Sequence, residues 1–260
     1  TVRTGLQPKQ RVLALARCKV DLPAAAQAER CAEQLATEQP GEAIALDGFA
    51  IGRLEVSQTA YRRCVEAGAC EAPRTMWDDS ARPVTGVTHT MAKAYCAWRM
   101  GGRLPTPAEW LYAARGVDDR LYPWGDAPPA DGGFHRANHG GAHLSGGAPD
   151  ASDGFGQAAP TDAFPGGRSP FGLLNMAGNV REWTQDIVGG RAAVSGGGFN
   201  DPPFALRVTA RVELPIEEYA ADLGFRCVVE GDAAEEDGAG DEEAADDAAA
   251  PSASPDGGAP

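Results

Sequence analysis

From Gly116 to Gly198 the sequence carries almost no regular hydrophobic periodicity. Turn-forming residues take over, with Tyr122-Pro123-Trp124-Gly125-Asp126 followed by the pairs Gly132-Gly133, Gly140-Gly141 and Gly146-Gly147. Neither the period of a helix nor that of a strand is sustained, so long loops are expected to dominate this half. Long loops must be held by pins, of which disulfides and bound calcium are the common ones.

Cysteines could supply the first kind of pin. Cys18, Cys31, Cys64, Cys70, Cys96 and Cys227 form an even set with no zinc-type spacing. An oxidising compartment, periplasmic or extracellular, is expected. Cys18 and Cys31 could tie a helix to its approach segment. A Cys64–Cys70 bridge would be worth roughly 2 kcal/mol by loop-closure entropy, and a Cys96–Cys227 bridge roughly 5. Spacing alone leaves about fifteen pairings open.

The chain has 260 residues, 43% of them hydrophobic, enough for one large domain with appendages. Residues 231–260 hold ten Asp/Glu and no Lys, Arg or aromatic residue, against a net charge of −14 overall, so the body is close to neutral. That tail has too little apolar surface to offset the entropy of ordering it and reads as disordered. Without a basic stripe, nucleic-acid binding is excluded. No apolar run is long enough for a transmembrane helix. The chain starts at Thr1 rather than Met, so any signal or anchor is expected upstream of it.

Residues 1–40 read as a lead-in with one helix around Pro23 to Leu35, 41–230 as the main domain and 231–260 as the tail. Ile44 to Leu46 and Phe49 to Ile51 alternate as short strands. Ser57 caps a helix through Val65, and a second helix runs from Thr90 to Met100 and stops at Gly101. Thr106-Pro107-Ala108-Glu109 combines a cap hydroxyl, a first-turn proline and a capping-box carboxylate, which starts a third.

Several segments together carry a family likeness. They are Leu54-Glu-Val-Ser57, Ala94-Tyr-Cys-Ala-Trp98, Gly102-Arg-Leu-Pro-Thr-Pro-Ala-Glu-Trp110, Ala113-Ala-Arg-Gly116 and Tyr122-Pro-Trp-Gly-Asp126. Further on come Arg136-Ala-Asn138, Asp153-Gly-Phe155, Phe171-Gly-Leu-Leu-Asn-Met-Ala-Gly-Asn-Val-Arg-Glu-Trp183 and Gly224-Phe-Arg-Cys227. In order and spacing this set resembles the formylglycine-generating enzyme, or sulfatase-modifying factor, family. The resemblance implies an α+β variant of the C-type-lectin-like fold with little regular structure. It implies a Cys96–Cys227 disulfide first and Cys64–Cys70 second. It also implies two calcium sites. One would use the side chains of Asn138 and Asp153 with the carbonyls of His139 and Phe155, the other the side chains of Asn175 and Glu182 with the carbonyls of Gly178 and Val180. Calcium takes oxygen ligands of these types. The plainer reading of Asn175, Asn179 and Glu182 is that they cap turns and pair with Arg181 or Arg226.

Enzymes of that family hold copper(I) on two closely spaced cysteines that follow a Gly-Gly-Ser-Trp-like segment. The matching stretch here, Ser195-Gly-Gly-Gly-Phe199 and then Asn200 to Arg211, has none. Thiolates select copper(I), and Asn200 and Asp201 cannot replace them, so copper is not expected. The leading expectation is a catalytically silent scaffold with no catalytic residues, binding an unknown protein or small ligand through Asn200, Asp201, Arg207 and Arg211. A divergent oxidase or other enzyme using the same cleft is the alternative, and a structural role in a cell-envelope assembly a third. His135, His139 and His143 recur every four residues, but the glycines around them argue against a helix that would stack them on a metal. They are expected to be exposed loop histidines.

Overall fold

The computed structural model describes residues 1–21, 27–75, 81–140 and 150–231. Apart from Gly231 the acidic tail lies outside the described residues, as does His143. The lead-in holds two helices rather than one. Strand β1 (Val2–Arg3) precedes α1 (Pro8–Asp21) and α2 (Gln27–Ala36), and β1 then pairs antiparallel with β2 (Ala43–Ile44). Helix α1 buries Gln10, Ala14 and Cys18, one residue per turn. Cys18 is bonded to Cys31 of α2. Leu6, Ala14 and Leu35 pack with Leu121, Tyr122, Phe204 and Leu206 in one apolar cluster, so the lead-in shares a core with the loop-rich half.

The next segment follows its caps. After β3 (Phe49–Ile51), helix α3 (Gln58–Glu66) starts where the Ser57 hydroxyl accepts from Ala60 N at 3.2 Å. Helix α4 (His89–Met100) is capped by Thr88 and begins one residue before the Thr90 start read from the sequence, and it ends at Gly101 with φ 63°. Helix α5 (Pro107–Arg115) has the full capping box: Thr106 Oγ accepts from Glu109 N, and the Glu109 carboxylate accepts from Thr106 N at 2.8 Å. Each such cap is worth about 1 kcal/mol.

Regular structure is then sparse. A short antiparallel pair, β4 (Ala130–Asp131) with β5 (Phe134–His135), precedes β6 (Arg181–Val188), β7 (Arg191–Ser195), β8 (Arg211–Pro215) and β9 (Leu223–Gly224). These last four form one sheet in the order β8-β7-β6-β9, antiparallel except where β9 lies parallel to β6. Strand β10 (Val228–Glu230) pairs with β3 and so closes the domain end to end. Cys96 of α4 is bonded to Cys227 beside β10, and Cys64 to Cys70 at the end of α3. Tyr61, Tyr95, Trp183 and Phe225 form the aromatic centre of the largest core cluster, with Tyr61 and Tyr95 stacked at 5.4 Å. The architecture is α+β and loop-rich, as expected.

Candidate functional site

A buried charge centre sits where the β6 and β9 segments meet. Glu55, Glu182 and Arg226 are 3%, 1% and 0% exposed. Arg226 clasps Glu182 with two parallel bonds of 2.7 Å, and Trp110 Nε1 donates to the same carboxylate at 2.8 Å. The other guanidinium hydrogens reach the carbonyls of Gly52, Arg53 and Leu174. The plainer reading of Glu182, a partner for Arg226, is therefore present. Glu55 accepts from Asn175 Nδ2 at 2.8 Å and from Asn179 Nδ2 at 3.0 Å. Burial, reinforced by the Glu182 charge, pushes Glu55 up to about 8, against the opposing pull of Arg226 and the two amides. Asn175 and Asn179 both take left-handed backbone, φ 55° and 64°, which Asn tolerates better than most residues.

These contacts leave two amide oxygens without donors. Asn175 spends its Nδ2 hydrogens on Glu55 and on Thr161 O, and its Oδ1 is buried with no hydrogen-bond partner. Asn138 spends its Nδ2 on Gln157 O and Asn179 Oδ1, and its Oδ1 is likewise buried and bare. Leaving such an oxygen unsatisfied costs about 1–3 kcal/mol. A hard cation would satisfy both, and each belongs to one of the expected calcium sets. Asp153, next to Asn138 in the first set, accepts from His139 N at 3.0 Å and Phe155 N at 2.9 Å, and burial raises its pKa against those bonds. The first set thus fits calcium through amide, carboxylate and carbonyl oxygens. In the second, Glu182 already accepts three N–H bonds, so Asn175 Oδ1 and the carbonyls of Gly178 and Val180 would carry more of the coordination. Gly178 joins the two regions: a Cβ there would stand 2.3 Å from Asn138 O, at φ +82°. Among the described residues no three His, Cys, Asp or Glu side chains gather as a metal site.

The two expected loop histidines among the described residues, His135 and His139, are not exposed. His139 is 7% exposed and His135 half-buried, because the Gly-rich chain folds inward: Gly140 N donates to Asp201 O at 3.0 Å. Burial pushes His139 down to about 4.

The expected ligand residues border a cleft between the end of α2 and β8. A cavity of about 390 Å³ is lined by Asp201, Arg207 and Arg211 together with Glu38 and Arg181. Asn200 is not among its lining residues. A second cavity, about 370 Å³, lies on the other side of Glu38 and also touches Arg211, Trp110 and Thr209. Arg207 is 2% exposed and committed: it pairs with Glu38, bonds Phe204 O and lies 3.6 Å over the Phe204 ring. Thr209 also donates to Glu38. Asp201 accepts from Gly198 N at 2.8 Å, fixing the loop after β7. Arg211 is exposed at the rim of both cavities. Replacing Arg207 with methionine is expected to destabilise the fold by about 3 kcal/mol, since Glu38 is left as a buried charge with only the Thr209 hydroxyl. Arg211→Ala is expected to stay within about 0.5 kcal/mol of the parent. Thermal unfolding of the two variants tests the contrast, and equal effects would mean that Arg207 is not the structural partner of Glu38.

Sequence reasoning missed Glu38 and Glu55, and it offered Arg181 as a partner of the Asn175–Glu182 segment, whereas Arg181 pairs with Asp222 at 2.8 Å. Only Glu55 had a visible signal, a carboxylate set between Leu54 and Val56 in a strand-like run.

Comparison with known proteins bears on the family and the fold. A model of the sulfatase-modifying factor enzyme 1-like domain matches residues 17–231. The formylglycine-generating enzyme of Mus musculus is 36% identical over 174 residues, 58% of this chain and 45% of that protein. The inactive C-alpha-formylglycine-generating enzyme 2 of Mus musculus is 33% identical over 195 residues, 64% of this chain and 58% of its own length. The chain thus spans about half the length of these relatives. The structure of PvdO from Pseudomonas aeruginosa shares the fold, with a TM-score of 0.61 at 22% identity, over 74% of this chain and 84% of that one. Motifs, fold and matched span agree, and the chain belongs to the sulfatase-modifying factor, or formylglycine-generating enzyme, domain family.

Proposed function

We propose that this chain is a binding member of its family, a scaffold pinned by disulfides and calcium that offers the cleft beside Arg211 to a protein or small ligand, in place of copper-dependent formylglycine generation. The observation that carries the reading is the state of the cysteines. All six are paired in three disulfides, and the loop from Asn200 to Arg211 contributes Asp201, Pro202 and Pro203 where the family's chemistry needs thiolates. Three disulfides favour a periplasmic or extracellular setting. Among the described residues no helix is long and apolar enough to cross a membrane.

The chemistry is tested by incubating the oxidised protein with copper(I), oxygen and a cysteine-containing peptide. No aldehyde product is expected. Copper-dependent conversion of the cysteine to formylglycine sinks the proposal and returns the chain to the enzymes.

Calcium is tested separately. An ion present at about 100 times its Kd stabilises the folded state by about 2.7 kcal/mol, so chelation is expected to lower the unfolding midpoint. Asn138→Ala and Asn175→Ala are each expected to shrink the difference between calcium-loaded and chelated protein. A midpoint unmoved by chelation in the parent would remove calcium from the proposal while leaving the binding role to be judged on the peptide assay.

A further inference from the structure

His135 and His139 form a pair of imidazoles that no part of the proposed scaffold role uses. Their rings lie 6.3 Å apart, centroid to centroid, and are tilted by 37°. Nδ1 of His135 is buried without a hydrogen-bond partner, and so are both ring nitrogens of His139. A neutral imidazole carries one N–H donor and one lone pair. For a ring that is only 7% exposed, leaving both unmatched is a standing desolvation cost. His89, by contrast, has its Nε2 paired with Thr184 O at 3.0 Å.

The backbone beneath the pair is fixed by contacts of its own. His135 belongs to β5, whose register with β4 sets it opposite Ala130. His139 is held through its N–H on Asp153 Oδ2 and through Gly140 N on Asp201 O. Asp150 lies close enough to both rings to interact with each electrostatically. The two rings are therefore preorganised, with bare nitrogens and a carboxylate nearby.

We propose that His135 and His139 bind one divalent transition-metal ion of the zinc type, through Nδ1 of His135 and a ring nitrogen of His139. Imidazole suits zinc, copper(II) and nickel, whereas calcium seeks oxygen, so this site is chemically distinct from the Asn138 and Asn175 oxygens and does not rest on the calcium reading. With no third His, Cys, Asp or Glu converging among the described residues, two imidazoles are the protein's share and water completes the coordination. Asp150, which interacts electrostatically with both rings, adds negative charge to the surroundings.

The test is a zinc titration of the full oxidised chain by calorimetry, in calcium-containing buffer so that oxygen sites are filled beforehand. One equivalent is expected to bind. His135→Ala, at the half-buried position, is expected to weaken binding by at least about tenfold, with its unfolding midpoint recorded as a control for folding. His139→Asn is expected to do the same if it folds. Copper(II) bound to the parent is expected to show hyperfine coupling to two nitrogens, and to one in His135→Ala. No zinc binding by the parent, unchanged affinity in His135→Ala, or a loss that follows His143→Ala and spares His135→Ala would each overturn the proposal.

Discussion

Replacing Arg226 with methionine is expected to destabilise the protein by about 3–5 kcal/mol near neutral pH, the cost of stripping one partner from a buried ion pair. For a domain of this size the unfolding midpoint falls on the order of 10 °C. The reason is local and complete. Arg226 is wholly buried, its two bonds to Glu182 are both 2.7 Å, and it also satisfies the carbonyls of Gly52, Arg53 and Leu174. Methionine fills much of the volume but leaves those acceptors bare and Glu182 unpaired.

The pH dependence gives the effect a signature. Glu55 already stands at about 8, raised by burial and by Glu182 and lowered by Arg226. Without Arg226 it rises further. A carboxyl whose folded pKa exceeds its unfolded value favours the folded state below the unfolded pKa, near 4.5, and loses that contribution as pH rises towards the folded value. Parent and variant therefore lose stability alike from about pH 4.5 to about pH 7, and the gap between them is expected to be narrow there and to widen as pH rises past 8, where folded parent ionises Glu55 and the variant does not. A gap that is the same at both ends would mean that cavity and packing, not uncompensated charge, set the loss. The pair Glu182→Leu with Arg226→Met is expected to recover part of it, though Trp110 Nε1 then has no acceptor.

What the sequence made legible follows from how local each signal was. The capping box at Thr106 and Glu109 needs four consecutive residues, and α5 begins where it says. The family motifs of the second half carried the fold, because turn chemistry at Asn175, Gly178 and Asn179 is written in neighbouring residues. Helix α1 was missed because its buried stripe is Gln10, Ala14 and Cys18, which includes no large apolar residue. Glu38 and Arg207 were not legible as a pair: they are 169 positions apart, and nothing in the surroundings of either names the other. Glu55 with Asn179, 124 positions apart, is the same case. The histidines misled for a related reason. Glycines beside His139 signalled an open loop, whereas in the fold Gly140 lets the backbone approach the Asn200–Asp201 turn, where a Cβ would meet Phe199 O at 2.8 Å.

Removing the Cys96–Cys227 bridge as a double alanine variant is expected to cost about 5 kcal/mol, more than either other disulfide. In the loop-closure account the loss grows with the length of chain enclosed. The three bridges enclose separations of 131, 13 and 6 residues, which sets the order at about 5, 3 and 2 kcal/mol for Cys96–Cys227, Cys18–Cys31 and Cys64–Cys70. Position sharpens the contrast. Cys96 is buried beside the aromatic core, so its sulfur also fills space there, and its bridge holds the last strand to α4. Without it, β10 is retained by its ladder with β3, by the Arg103–Val228 bridge and by the exposed Arg103–Glu230 ion pair. Amide exchange in β10 is then expected to accelerate more than exchange in the β6–β7 hairpin, whose pairing does not involve either cysteine. Denaturant unfolding of the three double variants measures the order directly. If loss of Cys18–Cys31 proves as costly as loss of Cys96–Cys227, the packing of α1 and α2 over the Glu38–Arg207 cleft, not the entropy of the enclosed loop, decides what the disulfides contribute.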